Sequence, residues 1–206
     1  MSEMDFRLEQ WINAAGGHHH FLDVVMVALA NWSEAVFIAL VLTWLGFGVV
    51  AHRGDERRHA IAALLASGLA LATNQLISMA WIRPRPFAAH PGHVHVLLSH
   101  TADPSFPSDH VAAAMAIAVI LLSLHRRLGL TTLLLALLVG YARVFVGDHY
   151  PGDVAGGALV GLIAGLALLS PQMRAIVRAI DRRAIQDRGT ITPGSRVDDG
   201  HERPAI

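Results

Sequence analysis

Long apolar stretches separated by short polar connections make up most of the chain. A helix needs about 20 apolar residues to cross a hydrocarbon core of about 30 Å. Five stretches meet this requirement, near 34–51, 60–81, 109–124, 129–147 and 153–170. A shorter apolar stretch at 21–32 is interrupted by Asp23 and predicts an interfacial helix. The pattern therefore predicts an all-α polytopic membrane helix bundle with five transmembrane helices, or six if 21–32 also crosses, and one interfacial N-terminal helix.

The apolar periodicity ends after residue 170. The following segment carries several arginines and ends in a polar stretch that begins at Thr192-Pro193-Gly194. We therefore predict two parts, a membrane-embedded domain at 1–170 and a cytoplasmic basic tail at 171–206. The tail is expected to be a helix followed by disorder.

The composition agrees with a membrane protein and excludes several kinds of chemistry. Apolar residues make up 53% of the 206 positions and charged residues 16%, more apolar and less charged than a soluble domain. The formal net charge is zero, so nothing in it indicates a nucleic-acid partner. The sequence has no lysine and no cysteine, which excludes Schiff-base lysines, thiolate nucleophiles and thiolate metal sites.

The arginines predict the orientation in the membrane. If the five spans alternate, the loop with Arg53 and Arg57, the connection with Arg126 and Arg127, and the C-terminal tail lie on one face. By the positive-inside rule this face is cytoplasmic. The N-terminus and the connections at 82–108 and 147–152 then lie outside.

Three polar blocks share that outer face. The first is Ile82-Arg83-Pro84-Arg85-Pro86-Phe87, the second Phe106-Pro107-Ser108-Asp109-His110, and the third runs from Arg143 through His149 to Asp153. Arginine guanidinium groups bind phosphate oxygens in pairs of hydrogen bonds, and a helix start offers a hydroxyl and free backbone N–H groups. The phosphate-binding residues predicted from these blocks are Arg83, Arg85, Ser108, Asp109 and Arg143.

Two histidines and a carboxylate complete this set. His110 lies at the start of the third span, and Asp153 follows His149 by four residues. A carboxylate bonded to one imidazole nitrogen fixes the tautomer that leaves the other nitrogen free to attack. The predicted catalytic residues are therefore His149, His110 and Asp153, for phosphoryl transfer without a metal or another cofactor.

The ordered blocks resemble the signature of the type 2 phosphatidic acid phosphatase superfamily. The matching elements are Arg85-Pro86, Pro107-Ser108-Asp109-His110, and Arg143 with His149 and Asp153. Within the superfamily they are most similar to bacterial undecaprenyl-diphosphate phosphatases of the bacitracin-resistance type. Two positions differ: Ser78 stands where the family usually has lysine, and Ala142 where it usually has serine.

The resemblance implies a multi-pass enzyme of the bacterial cytoplasmic membrane whose substrate is a lipid phosphate, with undecaprenyl diphosphate favoured. It further implies that His149, oriented by Asp153, attacks phosphorus to form a phosphohistidine while His110 protonates the leaving group. Arg85, Arg143, Ser108 and the amides near Asp109 would stabilise the transferring phosphoryl group. No partner beyond the lipid substrate and membrane lipids is indicated, and the oligomeric state stays open.

Several alternatives stay open from the residues alone. An arginine at a span end often serves only as an interfacial anchor, and Asp153 could simply favour the N-terminus of the fifth span. The substrate could instead be phosphatidic acid or phosphatidylglycerol phosphate, or the chain could be a non-enzymatic lipid-binding or transport protein. Gly157, Gly161 and Gly165 predict close helix packing, which would hold Asp153 against the fourth span.

Overall fold

The computed structural model describes residues 3–99, 101 and 103–190, and within these ranges the chain is helical without any strand. The helices are α1 (Glu3–Asn13), α2 (His20–Val50), α3 (Gly54–Ala80), α4 (Pro86–Ala89), α5 (Asp109–Leu124), α6 (Arg126–Phe145), α7 (Pro151–Leu168) and α8 (Pro171–Thr190). The predicted all-α helix bundle is confirmed.

Helix α5 is the centre of the bundle, and it packs against α3, α6 and α7. Alanines supply much of this core, among them Ala63, Ala66, Ala112 and Ala116, which are fully buried. Small side chains let helix backbones approach closely, which favours packing where lipid gives no hydrophobic drive between helices. Helix α5, which begins in the second predicted block, thus holds together α3, α6 and α7, whose ends adjoin the other two blocks.

The glycines of α7 lie against α5. A methyl group added at Gly161 would meet the Ala112 carbonyl oxygen and would lie 2.9 Å from Met115 Cβ, and one added at Gly157 would meet the Ser108 carbonyl oxygen. The predicted close packing is confirmed, but the partner is the third predicted span rather than the fourth. The glycines therefore place the start of α7 beside the start of α5.

Four helices, α2, α3, α6 and α7, are long and apolar enough to cross a membrane by length and composition. Helix α5 coincides with the predicted span 109–124, but its 16 residues extend only about 24 Å at 1.5 Å per residue. Exposed apolar side chains such as Leu134, Leu159 and Ile163 project from α6 and α7, as contact with lipid requires. The chain is a membrane protein whose shortest apolar helix is enclosed by longer ones.

The N-terminal region differs from the prediction. Residues 21–32 do not form a separate interfacial helix, because α2 runs unbroken for 31 residues from His20. Asp23, which suggested an interruption, lies in the first turn of α2, where it accepts a hydrogen bond from the Gly17 N–H at 3.1 Å. A carboxylate is favourable at that end of a helix. The short polar helix before the first span is instead α1, which the apolar pattern did not predict.

Helix α8 packs against α3 at the opposite end of the bundle from α1. Arg57 of α3 binds the Asp181 carboxylate through both Nε and Nη2, the latter at 3.0 Å. Helix α8 thus covers the first part of the predicted tail, and residues 191–206 lie outside the described residues. The division into a membrane domain and a disordered-ended tail stays a prediction.

Candidate active site

The three predicted blocks meet at one end of the bundle, which is called the site end below. Helices α3 and α6 finish there, and α5 and α7 begin there. The segment 81–108 and the turn 146–150 connect these ends, and the Ser108 N–H donates to the Asp153 carbonyl oxygen at 3.1 Å. Helix termini leave unpaired backbone groups, so this end of the bundle can present donors to a ligand.

His149 lies in the turn before α7 and is 2% exposed. Its Nδ1 donates to the Ser105 carbonyl oxygen at 2.9 Å, and Asp153 Oδ2 lies 3.6 Å from the same nitrogen. Its other nitrogen, Nε2, lies 3.4 Å from Arg85 Nη1. With the proton on Nδ1, Nε2 carries the lone pair and faces the arginine.

Burial lowers the pKa of His149 below its ordinary value, although the carboxylates of Asp153 and Asp148 oppose this shift. Desolvation disfavours the charged form of a buried imidazole. The ring is therefore neutral at neutral pH, which is the form that can attack phosphorus.

Asp153, the third residue of α7, is completely buried. Its Oδ2 accepts hydrogen bonds from the Tyr150 N–H at 2.9 Å and from the Ser105 hydroxyl. Its Oδ1 accepts from Arg83 Nη1 at 2.6 Å. Asp153 therefore caps the start of α7 and also lies beside His149. Its two predicted roles, at the N-terminus of the span and next to the histidine, are compatible.

Arg85 and Arg143 lie side by side around a third carboxylate. Arg85 Nη1 donates to Asp148 Oδ1 at 2.7 Å, and Arg143 Nη2 forms an ion pair with Asp148 Oδ2. Arg85 Nε donates to Asp103 Oδ1 at 3.0 Å, and Arg143 Nη1 to the Ala30 carbonyl oxygen at 3.2 Å. Both guanidinium groups are almost fully buried.

The two carboxylates that bind Arg85 differ in exposure. The Asp103 side chain is half exposed, whereas that of Asp148 is fully buried. Burial of the Asp103 carboxyl acts to raise its pKa, but the hydrogen bond and charge of Arg85 outweigh this and hold the pKa below its ordinary value. Asp103 is thus anionic at neutral pH.

Arg83 is oriented differently from the other two arginines. Its Nη2 donates to Asp5 Oδ2 of α1 at 2.5 Å, its Nη1 binds Asp153, and its guanidinium lies 4.0 Å above the Tyr150 ring. Asp5 also accepts the Gly152 N–H at 2.8 Å. Helix α1 is thereby connected through Arg83 to the carboxylate beside His149. The predicted contact of Arg83 with phosphate stays a prediction.

The second block lies at the start of α5. Ser108 is the N-cap residue and its hydroxyl is buried without a hydrogen-bond partner among the described residues. The Asp109 carboxylate accepts from Asn74 Nδ2 at 2.8 Å, and half-buried His110 lies in the first turn. An incoming phosphate oxygen would give the Ser108 hydroxyl the partner that buried polar groups require.

Four residues of this site were not predicted from the sequence: Asp5, Asp103, Ser105 and Asp148. Asp148 is adjacent to His149 and Ser105 precedes the Phe106-Pro107-Ser108 motif, so nearness to a motif was an available signal for both. Asp5 lies in a helix that was itself missed. Asp103 lies in a connection that showed no chemical pattern.

Comparison with known proteins confirms the predicted family resemblance. The family model of the PAP2 superfamily matches residues 59–176, more than half of the chain. Undecaprenyl-diphosphatase BcrC of Bacillus subtilis is 35% identical over 182 residues, covering 85% of this chain and 91% of that protein.

Two solved structures share the fold. The crystal structure of Aquifex aeolicus LpxE has a TM-score of 0.64 and 27% identity, covering 82% of this chain and 96% of that one. A PAP2-type phosphatidylglycerolphosphate phosphatase from Bacillus subtilis has a TM-score of 0.61 and 23% identity, covering 88% of each chain. The PAP2 family match and the 35% identity to an undecaprenyl-diphosphatase set aside a non-enzymatic role. This chain belongs to the PAP2 superfamily and is a phosphatase of the membrane.

Proposed function

We propose that this phosphatase removes the terminal phosphate of undecaprenyl diphosphate and that the reaction passes through a phosphohistidine at His149. The main support for this substrate is the 35% identity, over most of both chains, to a protein named undecaprenyl-diphosphatase. The site geometry supports the chemistry, because a neutral, buried imidazole directs its free nitrogen toward Arg85. Arg143 binds the same Asp148 carboxylate as Arg85.

In the first step His149 Nε2 attacks the terminal phosphorus, and the bond from phosphorus to the bridging oxygen breaks. The leaving lipid phosphate takes a proton from His110, and the imidazole keeps its Nδ1–H bond to the Ser105 carbonyl oxygen. In the second step water attacks the phosphorus and gives a proton to His110, which restores the acid, while the N–P bond breaks and orthophosphate leaves. General acid–base catalysis of this kind contributes about 10²- to 10⁴-fold.

The phosphate oxygens are held by Arg85, which lies 3.4 Å from His149 Nε2, and by Arg143, which shares the Asp148 carboxylate with Arg85. The Ser108 hydroxyl and the backbone amides near Asp109 supply further donors. Support for Ser108 comes from its buried hydroxyl, which has no partner among the described residues. Arg83 contributes to phosphate binding if its guanidinium exchanges Asp5 for a phosphate oxygen. Such donors stabilise the charge that spreads over the equatorial oxygens during transfer.

The site end faces the extracytoplasmic side of the bacterial cytoplasmic membrane, and the C-terminus is cytoplasmic. The support is the positive-inside rule: Arg53, Arg57, Arg126 and Arg127 all lie at the end opposite to His149. The substrate headgroup would then reach the site from the outer leaflet.

Phosphate release from detergent-purified protein tests the substrate. Undecaprenyl diphosphate, phosphatidic acid and phosphatidylglycerol phosphate are supplied separately, each with a chelator present. We expect the highest kcat/KM for undecaprenyl diphosphate and no effect of the chelator. A higher kcat/KM for either glycerolipid would overturn the substrate, and loss of activity with chelator would overturn the metal-free mechanism.

Acid-labile labelling tests the intermediate. Rapid quenching with substrate labelled in its terminal phosphate should give protein-bound, acid-labile phosphate in the wild type and none in His149→Ala. The same variant should lose turnover, and His110→Ala should lose about 10²- to 10⁴-fold. Turnover by purified His149→Ala at the wild-type rate contradicts the nucleophile.

The absence of cysteine from the sequence makes the orientation directly testable. Val96→Cys at the site end and Ile185→Cys in α8 form a matched pair, because both native side chains are 49% exposed. A membrane-impermeant maleimide should label Val96→Cys in intact spheroplasts and Ile185→Cys only after lysis. The reverse pattern would place the site on the cytoplasmic face.

A further inference from the structure

The Asp148 carboxylate lies between the two arginines of the phosphate site. One of its oxygens accepts from Arg85 Nη1 at 2.7 Å, the other forms the ion pair with Arg143, and its backbone carbonyl also accepts from Arg85 Nη1 at 3.2 Å. The side chain is fully buried. A carboxylate held by two guanidinium groups resembles, in charge and in geometry, an oxyanion ligand.

This carboxylate occupies space that a reacting phosphate needs. Asp148 Oδ2 lies 3.8 Å from His149 Nε2, and Arg85 Nη1 lies 3.4 Å from the same nitrogen. An attack geometry requires the phosphorus about 3–3.5 Å from the nucleophilic atom. A phosphoryl group at that distance, with its oxygens on Arg85 and Arg143, would overlap the present position of the Asp148 carboxylate.

The charges around the arginines also matter for entry of a ligand. Asp148 and Asp103 offset the two positive charges of Arg85 and Arg143. Solvent screens the charge of Asp103, whose side chain is half exposed. Asp148 is fully buried and directly precedes the nucleophile. An entering anion therefore competes mainly with Asp148, and it must offer more negative charge than one carboxylate.

We propose that Asp148 is a resident anion of the phosphate subsite that a substrate phosphate must displace, and that it thereby selects dianionic terminal phosphates over monoanionic phosphodiesters. A phosphate monoester carries about −1.5 to −2 charges at pH 7, whereas a diester carries a single charge. The membrane around the site consists of phosphodiester lipids, so this selection would keep bulk lipid headgroups off the arginines. The inference rests on the proposed phosphate-transfer role of this site.

Ligand-induced stabilisation of the full-length protein in detergent tests the inference without turnover. The probes are inorganic phosphate and dimethyl phosphate, titrated at about pH 8, where the former is mainly dianionic. Asp148→Asn keeps the side-chain volume and removes the charge. We expect its dissociation constant for inorganic phosphate to be about tenfold lower than that of the wild type, the change expected when one charged competitor is removed.

Dimethyl phosphate gives the second readout. It should not stabilise the wild type at concentrations where inorganic phosphate does, and it should stabilise Asp148→Asn. Asp55→Asn, which changes a carboxylate at the opposite end of α3, is the matched control and should keep the wild-type dissociation constant. Asp103→Asn should give a smaller change than Asp148→Asn, because solvent screens the charge of the half-exposed Asp103.

Unchanged or weaker phosphate binding by Asp148→Asn would overturn the inference and make Asp148 a support for the arginines. If Asp148→Asn does not fold, Asp148→Ser can be titrated in its place. The wild type alone also tests the inference, since equal binding of inorganic phosphate and dimethyl phosphate is incompatible with selection. Phosphate binding without lipid phosphatase activity contradicts only the proposed function. Normal activity with unchanged phosphate affinity in the variant contradicts only the role of Asp148.

Discussion

Replacement of Asp153 by asparagine separates the two groups that lie beside His149 Nδ1. The Ser105 carbonyl oxygen accepts the Nδ1–H at 2.9 Å, and the Asp153 carboxylate lies 3.6 Å away. Where a carboxylate alone fixes the imidazole tautomer, its conversion to an amide costs about 10⁴-fold in kcat. Here the carbonyl holds the tautomer, so the variant should lose only the stabilisation by the negative charge.

We expect a loss of about 10²-fold in kcat, which corresponds to about 2.7 kcal/mol at 1.36 kcal/mol per factor of ten. Asp153 accepts three hydrogen bonds in the native protein, from Tyr150, Ser105 and Arg83. An amide has one acceptor atom and one donor group, so at least one buried donor loses its partner. This should cost about 1–3 kcal/mol of stability.

The pH profile gives an independent readout. The Asp153 carboxylate, 3.6 Å from Nδ1, raises the pKa of His149 against the lowering by burial, so replacing it by an amide lowers that pKa further. The acid limb of kcat/KM should therefore move to lower pH in Asp153→Asn. Phosphate release from the lipid substrate between about pH 4 and 8 measures both quantities, and Asp55→Asn serves as the control.

A loss of 10⁴-fold or more would refute the role given to the Ser105 carbonyl, because the carboxylate would then be the group that fixes the tautomer. An unchanged kcat would refute any role of the Asp153 charge. A shift of the acid limb to higher pH would contradict the sign of its interaction with His149.

Three further predictions follow from other parts of the structure. In the wild type, burial lowers the pKa of His149 from 6.5, so kcat/KM should fall only below that pH, where the protonated ring cannot attack; an acid limb above pH 7 would contradict this. Burial raises the pKa of Glu9 to about 7 from 4.5. The folded protein therefore binds this proton more tightly than the unfolded chain does, and the free energy of unfolding falls as pH rises through this interval. Glu9→Gln should accordingly raise the thermal unfolding midpoint at pH 8 and leave it unchanged at pH 4. No gain at pH 8 would contradict the buried position of this carboxylate, which has no hydrogen-bond partner among the described residues. Gly161→Ala should destabilise the protein by about 1–3 kcal/mol through overpacking against α5, whereas Gly68→Ala, with nothing within 4 Å of the added methyl group, should not; equal unfolding midpoints for the two variants would contradict the close α5–α7 contact.

The spans could be predicted because lipid imposes a length and an apolar composition on every crossing helix. The predicted segment 109–124 coincides with α5, and the predicted segment 60–81 ends one residue beyond α3. The error concerned 21–32, where Asp23 was interpreted as an interruption although it lies in the first turn of a long helix. Helix α1 has no comparable apolar pattern. It is attached to the bundle by tertiary hydrogen bonds of Asn13 and Asp5, and such contacts leave no periodic signal in the sequence.

The site could be predicted only for residues whose type and spacing carry chemistry. Arg85, Arg143 and His149 meet because span ends on one face must be close, and this follows from topology. Ser105 acts on His149 through its backbone carbonyl, a group that every residue has, so its residue type gives no signal. The carboxylates that neutralise the arginines could not be predicted from the sequence either. Several acidic residues lie near the site in the sequence, and only the packing determines which of them contact the arginines. Residue types thus indicate what a phosphatase needs for its reaction, whereas the anion held by the arginines before substrate arrives is set by the fold.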